Sequence, residues 1–385
     1  MADLAPMQTA HAIARVEHDE RGVTLSWSDG RRSHFPALWL RDNCACPACR
    51  HPQALERTFM FIDHGHPQVA AAKVGAEGAL EVEFRAGDSA HAAVFAKGWL
   101  RTHDCSPDAI AARAPRLRLW DTTIAQTLPT LDYADYMTTG AGMRRWIEAI
   151  QQEGIVLLRG IPAVPGTLLD VARRIGPIRA TNFGDHYDVV SMPNPNASAY
   201  TAMGLELHTD LANWQSPPDV QLLFCVKSSV KGGESVFADG FAVAEELRRT
   251  DPEAFRLLST QPMEFRFHDD ACDIRATARA IAVDPAGNIT SVRFNNWLRA
   301  PFALPEHLLE PMYGALEQFW RLLRDPRHHL NLRLDPGCLI AYNNNRVLHG
   351  RASFDPTTGE RHLQGCYLSF EDLESQLRLL DRAIA

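Results

Sequence analysis

The feature that most constrains the fold is a set of short apolar segments, each bounded by glycine or proline. The segment IVLLR at 155–159 follows Gly154, and VQLLFCV at 220–226 lies between a Pro-Pro pair and a Gly-Gly pair. Short apolar runs of this kind are typical of buried strands. Further strands are predicted at 289–294 and 338–342. No βαβαβ alternation and no glycine-rich phosphate loop accompanies them, which argues against a doubly wound nucleotide-binding fold.

Helices are predicted between and after these strands. The segment 306–324 carries apolar residues at the three-and-four spacing of an amphipathic helix packed on a sheet. They are Leu309, Met312, Tyr313, Leu316, Phe319, Trp320 and Leu323. Other helices are expected at 141–153, 166–175, 241–249 and 371–383. The fold class is therefore predicted to be mostly β with flanking helices.

A chain of 385 residues is too long for one average domain and fits two. Strands expected at 23–28 and 79–85, separated by turn-rich sequence, indicate a small β-rich domain at 1–125, followed by a larger domain at 126–385. The segments 28–44 and 87–105 share an acidic-glycine turn, a histidine and a terminal Trp-Leu-Arg. Two similar halves of one small domain would explain this echo, and coincidence is the alternative.

Composition excludes several classes of partner. A formal charge of -8 and a pI near 6.1 argue against nucleic acid or an anionic membrane, since both require a concentrated basic face. The sequence has no segment with the length and apolar character of a signal peptide or a membrane span. A cytoplasmic location is the expectation that follows.

A histidine and an aspartate stand two residues apart in LELHTDLANW, at His208 and Asp210. Side chains alternate across a strand, so residues i and i+2 leave the same face and could hold one ion. The spacing alone is weak evidence, because such a pair is more often structural. His349, where an apolar strand ends on His-Gly-Arg, is the best third ligand. Two histidines and one carboxylate leave three open positions on an octahedral ion, as in non-haem Fe(II) oxygenases, although zinc would also accept these ligands.

An arginine distinguishes the iron interpretation from the zinc one. Arg361 follows His349 in GERHLQGCYLSF, on what is predicted to be the next strand. A guanidinium binds a carboxylate in a fork geometry that lysine does not reproduce, which favours 2-oxoglutarate as cosubstrate. The alternative is a surface ion pair between Arg361 and a nearby Asp or Glu.

Several segments together carry a family resemblance. They are WLRDNCACPAC (39–49), GIVLLRG (154–160), LHTDLANWQSPPDVQLLFC (207–225), GGESVFADGF (232–241), FNNWLRAPF (294–302), NRVLHGR (345–351) and RHLQGCYLS (361–369). The chain resembles the γ-butyrobetaine and trimethyllysine dioxygenase family, within the taurine dioxygenase-like Fe(II)/2-oxoglutarate oxygenases, over nearly its full length. The resemblance implies a double-stranded β-helix, or jelly roll, as the catalytic domain, with iron held by His208, Asp210 and His349.

The three cysteines Cys44, Cys46 and Cys49 lie within six residues and suggest a metal site in a reducing compartment. Zinc requires a fourth ligand for a closed tetrahedral site, and by spacing alone His51, His103 and Cys105 are rivals for that position. The resemblance implies His91. A closed site of this kind stabilises the fold and does not catalyse. Free thiols are the alternative, and a nucleic-acid-binding zinc ribbon lacks the basic surface.

The resemblance also implies a substrate with a quaternary ammonium group. An aromatic cage suits such a cation, and the matching positions are Phe183, Tyr187, Tyr200 and Tyr367. Asn296 matches one amide that meets the substrate carboxylate, whereas Ala197 and Ser198 stand where relatives carry the other.

The expected function is hydroxylation of γ-butyrobetaine at C3 to L-carnitine, a reaction of carnitine biosynthesis, with release of succinate and CO2. Two alternatives remain open: a hydroxylase of another trimethylammonium compound, such as trimethyllysine or a related betaine, and a non-catalytic metal-binding scaffold. Relatives imply a homodimer.

Overall fold

The structure is a computed structural model that describes residues 9–113, 116–190 and 201–384. Contacts divide the chain into two compact units, Met1–Pro115 with Asp381–Ala385, and Arg116–Leu380. The sequence-based boundary at 125 lies later than this division. The stretch from Arg116 falls in the second unit because the Trp120 amide donates to Asp239 Oδ2 at 3.1 Å and the Arg118 amide donates to the Gln152 carbonyl at 2.8 Å.

Within its described residues, the first unit contains two three-stranded antiparallel sheets and three short α-helices. Its strands are β1 (Ile13–Asp19), β2 (Gly22–Trp27), β3 (Arg32–Pro36), β4 (Gln68–Val74), β5 (Leu80–Ala86) and β6 (Ser89–Phe95). Its helices are α1 (Ala37–Asp42), α2 (Lys97–Thr102) and α3 (Pro107–Arg113). The sheets are ordered β1-β2-β3 and β4-β5-β6. In each, the third strand is followed by a helix that contains the Trp-Leu-Arg segment, so the sequence echo corresponds to a repeated sheet-and-helix arrangement.

The second unit is rich in strands. They are β7 (Thr130–Asp132), β8 (Ile155–Arg159), β9 (His186–Val189), β10 (Leu205–His208), β11 (Val220–Ser228), β12 (Lys231–Gly232), β13 (Ser235–Asp239), β14 (Met263–His268), β15 (Asp273–Ala278), β16 (Ile281–Val283), β17 (Ile289–Val292), β18 (Leu330–Leu332), β19 (Leu339–Asn343), β20 (Val347–Arg351), β21 (Phe354–Asp355) and β22 (Arg361–Leu368). Six form a sheet ordered β7-β8-β19-β11-β22-β9, and four form a sheet ordered β10-β20-β13-β18.

The helices of this part of the chain are α4 (Tyr133–Thr138), α5 (Gly140–Gln152), α6 (Thr167–Arg173), α7 (Gly240–Thr250), α8 (Pro252–Thr260), α9 (Glu306–Arg324) and α10 (Phe370–Ile384). The predicted helix 306–324 is confirmed at both ends. Its stripe is buried at Met312, Leu316, Phe319 and Leu323, but Tyr313 is 52% exposed. The prediction that Tyr313 belongs to the buried stripe is wrong, because its ring packs edge-on against Phe302 outside the core.

The six-stranded sheet is buried on both faces, which explains why its strands are almost continuously apolar. One face, including Val156, Leu222 and Ala341, packs in a core cluster with residues of α5 and α6. The alternate residues Ile155, Leu223 and Tyr342 pack in another cluster with Phe237 and Val347 of the four-stranded sheet. The rings of Phe237 and Tyr342 meet edge-on with centroids 5.3 Å apart. The two sheets therefore pack face to face, and the strand-rich fold class with flanking helices is confirmed. No helix within the described residues combines the length and apolarity that crossing a membrane requires.

Candidate active site

Two antiparallel strands of the four-stranded sheet bring the predicted histidines together. In the pairing of β10 with β20, His208 stands directly opposite His349, and their ring centroids are 4.3 Å apart. Gly350 follows His349, and a Cβ added there would lie 2.5 Å from the Leu205 carbonyl oxygen. Only glycine therefore allows the two strands to approach this closely beside the histidines.

Asp210 completes the cluster from the turn that follows β10. Its Oδ1 lies 3.4 Å from His208 Nε2 and 3.6 Å from His349 Nε2. His208 Nδ1 lies 2.8 Å from the Glu206 carbonyl oxygen, which only accepts, so Nδ1 carries the proton and Nε2 retains its lone pair. The three inward-facing atoms are those that a single metal ion would contact.

Electrostatics keep the cluster in the form that binds a cation. Burial, reinforced by the neighbouring His208, lowers the pKa of His349 to about 3, so its imidazole is neutral. Burial alone raises the pKa of Asp210, but His349, His208 and the Tyr367 hydroxyl outweigh it and leave that pKa below its usual range. A metal ligand must be deprotonated, and the His349 imidazole and the Asp210 carboxylate both meet this requirement. Two imidazoles and one carboxylate fit Fe(II), while zinc would accept the same atoms.

The backbone around Asp210 is held by a buried amide. The Asp210 N–H donates to Asn344 Oδ1 at 2.8 Å, and Asn344 Nδ2 donates to the Asp210 carbonyl at 3.0 Å. Leu211, the next residue, has φ of +53°, in the left-handed region that side chains other than glycine seldom adopt. The paired hydrogen bonds stabilise this strained turn and direct the carboxylate back toward the histidines.

Arg361 begins β22 and is accompanied by a second arginine. Both guanidinium groups lie over the Phe354 ring, Arg351 at 5.0 Å and Arg361 at 5.5 Å from its centroid. Arg351 Nη2 donates to the carbonyls of Thr201 and Met203. Burial, with Arg351 nearby, lowers the pKa of Arg361 to about 10. Arg361 forms no ion pair with an acidic side chain in the part of the chain that the structure describes. The alternative, a surface ion pair, is therefore absent among these residues, and the guanidinium can receive a carboxylate.

Two of the predicted cage residues form a wall next to the metal ligands. Tyr187 and Tyr367 have ring centroids 5.6 Å apart, and the Tyr367 hydroxyl donates to Asp210 Oδ2 at 2.7 Å. Gln221 Nε2 donates to the Tyr187 hydroxyl at 2.8 Å. A Cβ added at Gly365 would lie 2.4 Å from Cζ of Tyr187, so this glycine makes the space that the ring occupies.

Two other predicted substrate residues have contacts outside this wall. Phe183 packs edge-on against Phe267, with centroids 5.6 Å apart. Asn296 accepts a long hydrogen bond of 3.5 Å from Arg299 and lines a cavity of about 750 Å³ that His208, Asp210 and His349 do not line. Tyr200, with Ala197 and Ser198, lies outside the described residues.

The cysteine cluster in the first unit converges on His91. Its Nε2 lies 3.2 Å from the sulfur of Cys44, 3.8 Å from that of Cys46 and 3.7 Å from that of Cys49. Bonds of about 2.3 Å to sulfur and about 2.0 Å to nitrogen put tetrahedral zinc ligands roughly 3.5 Å apart, so these four atoms fit zinc.

The three rivals for the fourth zinc position lie outside the cluster. His51 Nδ1 accepts from the amides of Gln53 and Ala54, and the His103 ring stacks on Trp99. Cys105 is exposed. One charged side chain does approach: Arg41 Nη1 donates to Cys49 Sγ at 3.1 Å.

Two family models cover most of the chain. The model described as taurine catabolism dioxygenase TauD, TfdA family matches residues 117–367, and gamma-butyrobetaine hydroxylase-like, N-terminal, matches residues 14–101. The chain belongs to the TauD, TfdA family. It is a dioxygenase, and the predicted family is confirmed. Fe(II) and 2-oxoglutarate are the cofactor and cosubstrate of this group, and the two clusters described above offer ligand sets that suit iron and zinc.

Curated relatives of the dioxygenase match it along nearly its whole length. Gamma-butyrobetaine dioxygenase of Pseudomonas sp. (strain AK-1) is 38% identical over 386 residues, covering 99% of this chain and 100% of the relative. The human gamma-butyrobetaine dioxygenase is 31% identical, covering 94% and 95%. Trimethyllysine dioxygenase, mitochondrial, from Bos taurus is 28% identical, covering 90% and 82%. A solved taurine dioxygenase from Burkholderia xenovorans has a TM-score of 0.46 and 16% identity, covering 62% of this chain and 82% of that one.

Sequence reasoning missed three residues around the metal ligands of the dioxygenase. Asn344 accepts a hydrogen bond from the Asp210 amide, Gln221 donates one to the Tyr187 hydroxyl, and the Trp297 ring meets the His208 ring edge-on at 5.2 Å. Gln221 interrupts the apolar run VQLLFCV, and Asn344 belongs to three consecutive asparagines after an apolar strand. A polar residue inside an apolar pattern was the available signal, since a buried amide requires hydrogen-bonding partners.

Proposed function

We propose that this dioxygenase hydroxylates γ-butyrobetaine at C3 to give L-carnitine. The observation that carries the proposal is the wall formed by Tyr187 and Tyr367 directly beside the cluster of His208, Asp210 and His349. A metal site bordered by aromatic faces suits a substrate whose reacting carbon lies a short chain away from a cation. Among substrates of this kind, the full-length similarity to proteins named gamma-butyrobetaine dioxygenase favours γ-butyrobetaine.

The overall reaction consumes one 2-oxoglutarate and one O2 for each substrate molecule. One oxygen atom enters succinate as CO2 is released, and the other becomes the hydroxyl group on the substrate. Fe(II), held by His208, Asp210 and His349, supplies the activation of O2 when it is bound. Arg361 would anchor the distal carboxylate of 2-oxoglutarate, since the guanidinium fork matches a carboxylate in two parallel hydrogen bonds.

Substrate recognition in this proposal divides between the two ends of the molecule. Phe183, Tyr187, Tyr200 and Tyr367 would form the cage for the trimethylammonium group. Each ring face contributes about 0.5–2 kcal/mol, depending on how far the cation is desolvated. Asn296 would meet the carboxylate. The protein's main contribution is to position one C–H bond, because a misplacement of about 1 Å can reduce the rate ~100-fold.

The finer architecture is part of the same proposal. The two sheets that pack face to face would form the double-stranded β-helix, or jelly roll, of a catalytic domain that corresponds to the second unit. Cys44, Cys46, Cys49 and His91 would hold a structural zinc ion in the first unit. We also propose a cytoplasmic homodimer, for which the mass of the purified protein by light scattering is the direct test.

A panel of candidate substrates tests the function. Succinate release and hydroxylated product would be followed with γ-butyrobetaine, trimethyllysine and glycine betaine. A matched control is 5,5-dimethylhexanoate, in which carbon replaces the quaternary nitrogen without changing the shape. We expect efficient turnover of γ-butyrobetaine and little with the isostere that lacks the cation, because cation–π attraction is lost. Efficient hydroxylation of trimethyllysine without turnover of γ-butyrobetaine would assign trimethyllysine as the substrate. Absence of succinate with all four compounds would contradict the proposal.

A further inference from the structure

The two carboxylate oxygens of Asp210 have different partners. Oδ1 faces the Nε2 atoms of His208 and His349, at 3.4 Å and 3.6 Å. Oδ2 accepts a hydrogen bond of 2.7 Å from the Tyr367 hydroxyl. The oxygen available to a metal is therefore the one that the tyrosine does not hold.

We propose that the Tyr367 hydroxyl is a positioning group that keeps Asp210 bound to iron through one oxygen only. This inference rests on the proposed iron site, and it extends the role of Tyr367 beyond that of a cage ring. A carboxylate bound through both oxygens would occupy two positions on an octahedral ion. Two histidines and such a carboxylate leave two open positions, whereas a carboxylate bound through one oxygen leaves three.

The number of positions left free on the ion matters to the reaction, because Fe(II), when bound, would have to accept 2-oxoglutarate as well as activate O2. A hydroxyl that engages Oδ2 makes a second bond to the metal unfavourable, since the metal would have to displace a charge-assisted hydrogen bond in a buried site. The hydrogen bond from Tyr367 therefore keeps Asp210 from taking a second position on the ion.

The surroundings of Tyr367 leave its hydroxyl little freedom. The residue is 3% exposed and lies on β22, where it pairs across the sheet with Gln221 on β11. Gln221 in turn donates to the hydroxyl of Tyr187, whose ring lies beside that of Tyr367 and over Gly365. A chain of buried contacts thus runs from Gln221 through the two tyrosines to Asp210, and it fixes where the donor points.

The substitution Tyr367→Phe tests this inference, because it keeps the ring and removes only the hydroxyl. Tyr136→Phe is the matched control, since it removes a buried hydroxyl that donates to the Val171 carbonyl and does not contact Asp210. Each variant would be loaded anaerobically with Co(II), without any substrate, and the bonds from Asp210 to the metal would be read from the absorption spectrum and from a crystal structure. We expect both Asp210 oxygens at bonding distance and a shifted spectrum in Tyr367→Phe, and the wild-type arrangement in Tyr136→Phe. A wild-type arrangement of Asp210 in Tyr367→Phe, or the same change in both variants, would overturn the proposal.

A second measurement uses the wild-type protein and does not depend on a variant folding. In a crystal structure of the Co(II)-loaded enzyme, we expect one Asp210 oxygen at bonding distance and the other hydrogen-bonded to Tyr367. Two bonds from Asp210 to the metal would contradict the inference. Neither experiment involves a betaine, so their outcome is independent of the substrate panel that tests the proposed function.

Discussion

His208 and His349 lie directly opposite each other on β10 and β20, although 141 positions separate them in the chain, and their rings are 4.3 Å apart. Cross-strand partners are the closest side chains in an antiparallel sheet, so this register alone brings both imidazoles to one ion. A one-residue slip of either strand would turn a histidine to the opposite face. The strand register is therefore the first requirement of the site.

We expect Asp210→Ala to abolish succinate release while leaving the fold intact. The change removes the only anionic ligand from the cluster of His208, Asp210 and His349, so Fe(II) should no longer be retained. Bound iron by elemental analysis, succinate by mass spectrometry and the thermal unfolding curve measure the three effects. Asp335→Ala, at a side chain 73% exposed, is the control and should behave as wild type. Turnover that survives Asp210→Ala would refute the metal assignment.

Arg361→Lys should raise the KM for 2-oxoglutarate about 10- to 100-fold. Lysine keeps the charge but loses the fork, and a hydrogen bond to a charged group contributes about 1.5–3 kcal/mol. The control is Arg321→Lys on the exposed side of α9, where the ion pair with Glu317 contributes little. Steady-state kinetics at saturating betaine separate the two variants. An unchanged KM in Arg361→Lys would mean that Arg361 does not bind the carboxylate of 2-oxoglutarate.

Cys46→Ser should reduce the zinc content to below one ion per chain and destabilise the first unit. The substitution breaks a closed ligand set whose binding energy contributes directly to folding. Cys105→Ser is the matched control, because Cys105 is exposed and lies outside the cluster. Zinc per chain by elemental analysis and protease resistance of the first unit would be compared. Equal zinc content in the two variants would contradict the site.

Arg346→Met should lower the free energy of unfolding by about 3–5 kcal/mol. Arg346 and Asp239 form a fully buried ion pair with atoms 2.7 Å apart, so removing the cation leaves a buried carboxylate unpaired. Arg145→Met, which breaks the exposed pair with Asp135, should cost about 1 kcal/mol or less. Urea unfolding of the two variants measures the difference. Similar losses would mean that burial of the Arg346 pair has little energetic effect.

Local patterns in the sequence were sufficient to predict much of the fold. The helix α9 matches its predicted limits, and β8 matches the apolar run IVLLR, because three-and-four spacing and apolar runs between glycines depend on neighbouring residues. The hairpin β14–β15 was missed. Its sequence alternates charged and apolar residues without a tight-turn signal, and its pairing becomes visible only in the structure.

The kinds of ligand were also set by the sequence: two histidines with a carboxylate for one metal, and three cysteines for another. Spacing did not decide between His91 and its rivals His51 and His103, although the family resemblance implied His91. The tertiary structure brings His91 to the cysteines, and it alone decided that Tyr367 holds one particular oxygen of Asp210. Residue type and spacing are properties of the chain, and they specify which chemistry is available. The direction in which each lone pair or hydroxyl points depends on strands that are distant in the sequence and meet only when the sheets pack together.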